Sequence, residues 1–275
     1  MSWNIIAKKE LQDASRSRRL FALIVMFILF FAGAAFVVVK VTNALTNTGA
    51  ANVPAILSLT LPLGVFLPAV GIFSGYRSIV GERESGSLKL LLSLPHSRTD
   101  VVLGKFIGRT ALVSTATVIG FLIGGIVTLV LGAPLPVGDY LLLIVLSVVL
   151  GAAFVSISVG ISAGLRSENL IVFIGFGLVI LFTMLWGILT ALFGLLLRRY
   201  NIGSEASQAD IVSFIQALNP QTGFNYAYSA VSAVNKTPAA DVFWQQGWFG
   251  FVVLAVWIVV PLAFGCWRFN RAELT

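Results

Sequence analysis

Long uninterrupted apolar runs, rather than any regular alternation of apolar and polar positions, dominate the chain. Six such runs can be drawn: Phe21 to Val41, Ile56 to Gly75, Ala111 to Leu131, Tyr140 to Gly164, Leu170 to Leu197 and Trp248 to Trp267. Each is about the 20 residues that a helix needs to cross a bilayer core. They are rich in Leu, Ile, Val, Ala and Gly and lack the period-two pattern of lipid-facing strands, so they predict helices and not a barrel. The expected fold is an all-α membrane protein with six transmembrane helices, forming a single transmembrane domain over residues 1–275.

Three stretches outside the runs carry patterns of their own. In residues 1–19, Trp3, Ile6, Ala7, Leu11 and Ala14 recur every three to four positions, while Lys8, Lys9, Gln12, Asp13, Ser15 and Arg16 fill the other side. That pattern predicts an amphipathic helix lying in the membrane interface, with Arg16, Arg18 and Arg19 against anionic headgroups or a partner. An ordinary solvated helix start is the alternative. Ala32-Gly33-Ala34 has the small-x-small spacing of a signal-peptide cleavage site. However, the segment before it carries Glu10 and Asp13, and the apolar run continues beyond it to Val39.

Residues 76–110 are the most informative. Span two can run on through Glu82, Arg83 and Glu84 until Ser85 and Gly86 break it. A short helix, Ser87 to Leu94, then stops at Pro95, and Ser97 with Asp100 forms a capping pair for a helix that leads into span three. The short helix holds Leu88, Leu90, Leu91, Leu92 and Leu94 beside a single charge, Lys89. Burying each leucine is worth roughly 1.5–3 kcal/mol, so something is expected to cover them. A partner protein and the membrane surface are both open as covers; the mixed charges Glu82, Arg83, Glu84, Arg98 and Asp100 resemble the polar rim of a protein interface. In residues 198–247, Ile211, Val212, Phe214, Ile215 and Leu218 form a helical face ended by Asn219-Pro220, which predicts short outer helices between spans five and six.

Charge then orients the spans. Of the 18 Lys and Arg, only Lys40, Arg198, Arg199 and Lys236 fall on the outer side if the amino terminus is inside. An even number of spans puts both termini on the basic side, which is expected to be cytoplasmic in a multi-pass plasma-membrane protein. The net charge of +7 is thus an orientation signal and not a nucleic-acid footprint. Arg198 and Arg199 run against the trend.

Composition narrows the chemistry. With 58% hydrophobic and 11% charged residues and a mean hydropathy of +0.97, a soluble enzyme is excluded. One Cys, Cys266, and one His, His96, leave no disulfide and no His/Cys metal cage. The drawn spans contain no Asp, Glu or His, so a proton relay has no visible residues. A sodium-coupled carrier using helices broken at Pro62, Pro68 and Pro261, or an ATP-independent membrane scaffold, remains the alternative function. Ser156, Ser158, Ser162 and Thr183 have no base to activate them and read as interhelical hydrogen-bond groups. The GxxxG spacings Gly71/Gly75, Gly120/Gly124 and Gly160/Gly164 permit close helix contact. A GxxxxGK[ST] phosphate loop is absent: Gly104-Lys105 is followed by Phe106. No enzyme activity and no cofactor bound by this chain are expected.

The stretch GERESGSLKLLLSLPHSRTDVVLGKFIGR resembles the segment between the second and third spans of type-two ABC transporter permeases. That segment has an acidic-Arg-acidic triplet, Gly-Ser/Thr-Leu, a leucine-rich turn, Pro-x-Ser-Arg and a later Gly-Lys. The opening IIAKKELQDASRSRR is similar to the interfacial helix of the same family, and the nearest subfamily is the multicopper and nitrous-oxide-reductase maturation type. The resemblance implies the membrane-spanning subunit of an ATP-driven exporter, dimerised with a second permease subunit and docked on a cytoplasmic ABC ATPase that binds the ATP. It also implies that Ser87 to Leu94 is the coupling helix. Its ATPase-coupling residues would be Glu82, Arg83, Glu84, Ser87, Leu88, Leu91, Leu92, Leu94 and Arg98. Trp3, Lys8, Lys9, Arg16, Arg18 and Arg19 would form the interfacial helix against lipid.

Overall fold

The computed structural model describes residues 3–15, 17–46, 61–88, 97–165, 167–233 and 242–271. Among these residues the regular structure is entirely helical, and six helices are long and apolar enough to cross a membrane. A first helix, α1 (Trp3–Ser15), precedes span one, α2 (Arg18–Thr46). Span two comprises α3 (Leu61–Gly75) and a short α4 (Val80–Glu84). Spans three and four are α5 (Arg98–Val130) and α6 (Val137–Gly164). Span five is α7 (Glu168–Ile180), a π turn at Leu181–Leu185 and α8 (Trp186–Arg199). After α9 (Glu205–Ala217) and α10 (Pro220–Val231), span six is α11 (Gly247–Arg271).

Span four is the axis of the bundle. It is the most deeply buried of the six and is bordered by spans two, three and six. Its serines serve as expected of interhelical groups: Ser156 Oγ donates to Ile258 O of span six at 2.6 Å, and Ser158 Oγ donates to Ile72 O of span two. Small residues set the crossing with span six. A Cβ added to Gly160 would collide with the Pro261 carbonyl, and one added to Gly265 would lie 2.7 Å from Gly160 Cα. On the opposite face Gly71 and Gly75 abut Phe154 and Ser158. Pro68 and Pro261 sit inside continuous helices, so neither breaks its span.

Local sequence signals set several boundaries. Ser97 and Asp100 form a reciprocal capping box: Asp100 N donates to Ser97 Oγ at 3.0 Å, and Ser97 N donates to Asp100 Oδ2 at 3.3 Å. This starts α5 well before the apolar run that marks span three. Gly86, at φ +77°, ends the chain's path out of α4 in a conformation that glycine adopts without penalty.

Two departures from regular helix were not expected. Span two opens at Tyr76–Ile79, where Ile79 N and Val80 N donate to Ser162 Oγ of span four at 3.1 and 3.2 Å. Span five widens into its π turn where the buried Asn219 Nδ2 donates to Phe182 O at 3.0 Å. In both places a side chain distant in sequence supplies the hydrogen bond that makes the irregular backbone tolerable.

Helices α9 and α10 fold back onto the bundle. Asn219 caps α10, with Pro220 at its first turn, and Gln221 Nε2 donates to Gly64 O of span two at 2.6 Å. Trp257 Nε1 of span six donates to Leu218 O at 2.8 Å. Arg198 and Arg199, anomalous by the charge rule, lie in the last turn of α8, where cations complement the helix dipole.

Candidate functional site

The charges of the sequence converge where α1, the basic ends of the spans and span six meet. This basic end is built around Lys105, which is only 2% exposed. Lys105 Nζ donates to Glu10 Oε1 of α1 at 2.7 Å and to Glu82 Oε1 of α4 at 2.6 Å. One turn further along α5, Arg109 Nη2 lies 3.0 Å from Glu10 Oε2. Gly104 and Gly108 let α1 approach α5 closely enough for these pairs: a Cβ on Gly104 would lie 2.7 Å from the Ile6 side chain, and one on Gly108 2.5 Å from Glu10 Cβ. Burial alone would push the Glu10 carboxyl up, but Lys105 and Arg109, with Lys9 further off, outweigh it and hold the carboxyl below its ordinary range.

The acidic-Arg-acidic triplet beside this cluster reaches a different span with each member. Glu82 binds span three through Lys105. Arg83 Nη1 donates to Leu165 O at the end of span four at 2.9 Å, and its guanidinium lies 5.6 Å from the centre of the Phe269 ring in span six. Glu84 Oε1 accepts from Glu168 N at 3.1 Å, at the start of span five, where a negative charge meets the positive end of the helix dipole. Arg77 NεH, in the opened turn of span two, pairs with Glu168 Oε1 at 3.0 Å.

Arg98 closes the arrangement from the far side of the segment. Its Nη1 donates to Phe269 O at 2.7 Å and Asn270 O at 3.2 Å, and it too lies 5.6 Å from the Phe269 ring centre. Residues immediately before and after the leucine-rich stretch are therefore anchored to the same residue of span six. A displacement applied between Glu84 and Arg98 has direct, charge-assisted connections to spans three, four, five and six.

Several expected site residues are positioned differently from the sequence reading. Leu88, expected on a partner-facing surface, is 1% exposed and packs into the chain's own core, because α4 turns back at Gly86 and carries it under the bundle. Glu82 and Arg83 are half-buried and Glu84 is exposed, and each has a partner on a neighbouring span. Ser87 is exposed, its Oγ 2.9 Å from Ser85 Oγ. Leu91, Leu92 and Leu94, with the rest of the expected coupling helix, lie outside the described residues.

In α1, Trp3 is half-buried and Lys8 and Lys9 are exposed, while Ile6 and Ala7, expected to face lipid, are buried against span three. Arg18 is exposed; Arg16 and the Arg19 side chain lie outside the described residues. The residues that sequence reasoning missed are Glu10, Lys105, Arg109, Glu168 and Phe269. Glu10 gave a local hint, since it falls three and four positions after Ala7 and Ile6 on the buried stripe, and Lys105 stands in the Gly-Lys of the motif, which assigned it no partner.

A family model described as ABC-2 family transporter protein matches residues 4–274. The chain belongs to the ABC-2 family. Among its relatives is the "Probable ABC transporter permease protein NosY" of Pseudomonas aeruginosa, 28% identical over 98% of both chains. A protein of the same name from Stutzerimonas stutzeri is 38% identical over 43% of this chain and 42% of its own. This ABC-2 protein is the membrane-spanning permease subunit of an ABC transporter, and membership implies association with an ABC ATPase. The carrier and scaffold alternatives are not favoured. Among the described residues no group of three or more His, Cys, Asp and Glu side chains is arranged to hold a metal.

Proposed function

We propose that this permease docks a cytoplasmic ABC ATPase on the segment between α4 and α5, pairs with a second permease subunit around the translocation path, and works as an exporter. Both termini then lie in the cytoplasm of a cell whose plasma membrane holds the protein, as the Lys and Arg distribution favours. ATP is bound and hydrolysed by the partner, a division that the lack of a GxxxxGK[ST] phosphate loop in the sequence supports. The docking elements are the helix from Ser87 to Leu94, with Leu91, Leu92 and Leu94 as its apolar contacts. Lys8, Lys9, Arg16, Arg18 and Arg19 face anionic lipid.

The observation that supports this reading is the double anchoring of the docking segment to Phe269, by Arg83 before it and Arg98 after it. In this scheme Glu82, Arg83, Glu84 and Arg98 transmit force instead of contacting the ATPase. Movement of the docked ATPase pair pulls on the segment, and their bonds pass that movement to spans three to six. Two variants separate docking from transmission. Leu91→Asp is expected to abolish co-purification with the ATPase, whereas Arg83→Ala keeps the complex but lowers transport-linked stimulation of ATP hydrolysis several-fold. Normal coupling in both variants rejects the reading.

A further inference from the structure

A cavity of about 360 Å³ lies between spans one, two and three, away from the segment proposed to dock the ATPase. Span one contributes Leu23 and Met26, span two Phe66, Phe73 and Ser74, and span three Arg109 at the end nearest the Lys105 cluster. The chain directions make the cavity polar at one end only. Ser74, Leu23 and Arg109 are each the lining residues nearest the basic end on their span, while Phe66 and Met26 lie deeper. Phe66 closes the deep end by stacking on Phe30 at 4.5 Å and meeting Phe27 edge-on at 4.8 Å. From Phe66 to Ser74 the helix advances about 12 Å, so the cavity is an apolar shaft with a cation at its mouth.

Arg109 is incompletely used. Its Nη2 binds Glu10, but its Nε is buried and meets no acceptor among the described residues. Glu10 divides its charge between Lys105 and Arg109, Glu82 is committed to Lys105, and Lys9 and the exposed Arg18 add further positive charge to the same end. Cations therefore exceed carboxylates around the mouth. The Arg109 side chain is 27% exposed and lines the cavity, and a guanidinium there favours a phosphate or carboxylate oxygen. Because the shaft lies within the membrane-spanning part of the bundle, its occupant arrives from the bilayer.

We propose that this cavity is a binding site for one anionic phospholipid, with its phosphate on Arg109 and one acyl chain in the shaft between Met26, Phe66 and Phe73. Exposed faces of Met26 and Phe73 leave the shaft open for lateral entry from the leaflet at the basic end. The site ties lipid charge to the Glu10–Lys105 cluster and does not depend on how the ATPase docks.

The test is native mass spectrometry of the full chain, purified in detergent as the assembly it forms, after equilibration with phosphatidylglycerol or phosphatidylcholine. The wild type is expected to retain one phosphatidylglycerol per chain, with a preference over phosphatidylcholine of about tenfold. Ala69→Trp, which fills the shaft without touching the ion pairs, removes retention of both lipids. Arg109→Gln removes the preference. If Ala69→Trp does not yield folded protein, Met26→Trp on a different span carries the same expectation. Equal retention of the two lipids by the wild type, or undiminished retention by the filled variant, overturns the proposal. Displacement of the lipid by excess inorganic phosphate overturns it too, by reassigning the site to a free anion.

Discussion

Lys105 Nζ sits 2.6 Å from Glu82 Oε1, and this pair bridges the two margins of the segment that joins spans two and three. With Glu10 at 2.7 Å on its other side, the ammonium group is enclosed by two carboxylates from two other elements. Removing it leaves Glu10 and Glu82 facing each other with a buried charge uncompensated. Lys105→Met is expected to destabilise the protein by about 3–5 kcal/mol, read as a lowered unfolding midpoint in detergent. Substitution of the exposed Lys8 changes the midpoint little, and an equal effect of the two would refute the assignment.

The same cluster sets a pH dependence. The Glu10 carboxyl is held below its ordinary value of 4.5 in the folded chain, so its ion pairs contribute fully at neutral pH. That contribution falls as acid approaches the unfolded-state value and is lost once the pH drops through the lower folded value. Docking of α1 on span three should therefore loosen as the pH falls below 4.5, detected as increased hydrogen exchange in Trp3–Ser15. Glu10→Gln removes this acid-dependent component; exchange that follows the same pH course in the variant would exclude Glu10 as its source.

The opened turn of span two depends on one hydroxyl. Ser162→Ala leaves Ile79 N and Val80 N without their shared acceptor, at a cost of about 1–3 kcal/mol. Ser162→Thr keeps the hydroxyl and serves as the comparison. Urea or thermal unfolding of the two variants separates the lost hydrogen bond from a general packing change.

Close approach of spans four and six makes a sharper steric prediction. Gly265→Ala places a methyl group against the Gly160 backbone, which cannot move aside as a side chain can, and is expected to cost about 1–3 kcal/mol. Gly33→Ala meets nothing within 4 Å and should be neutral or slightly stabilising, as glycine within a helix disfavours folding. Unfolding midpoints that move together in the two variants would contradict the packing described.

The sequence made legible whatever depends on local pattern. Six apolar runs mark six spans; Ser97 and Asp100 mark the start of α5; Gly86 marks a turn; and Ser156 and Ser158, lacking any base, bond to backbone of neighbouring helices. What escaped depends on partners far apart in the chain. Nothing near Tyr76 announces that Ser162 will hold the opened turn, and nothing near Leu181 announces Asn219. The triplet Glu82-Arg83-Glu84 was recognisable as a motif, but the partners it reaches follow from the positions of Lys105, Leu165 and Glu168 in or beside three other spans. Leu88 illustrates the limit of composition: an apolar residue in a short polar-flanked helix requires cover, and here the chain itself supplies it.

Phe269 lies six residues from the end of the chain, yet its ring and carbonyl secure both edges of a segment that sits between spans two and three. Span six thus acts as a bolt through both edges at once. Replacing Phe269 by alanine takes the ring away from both guanidinium groups, so the two edges lose their common clamp and keep only the Arg98 bonds to backbone carbonyls on that side.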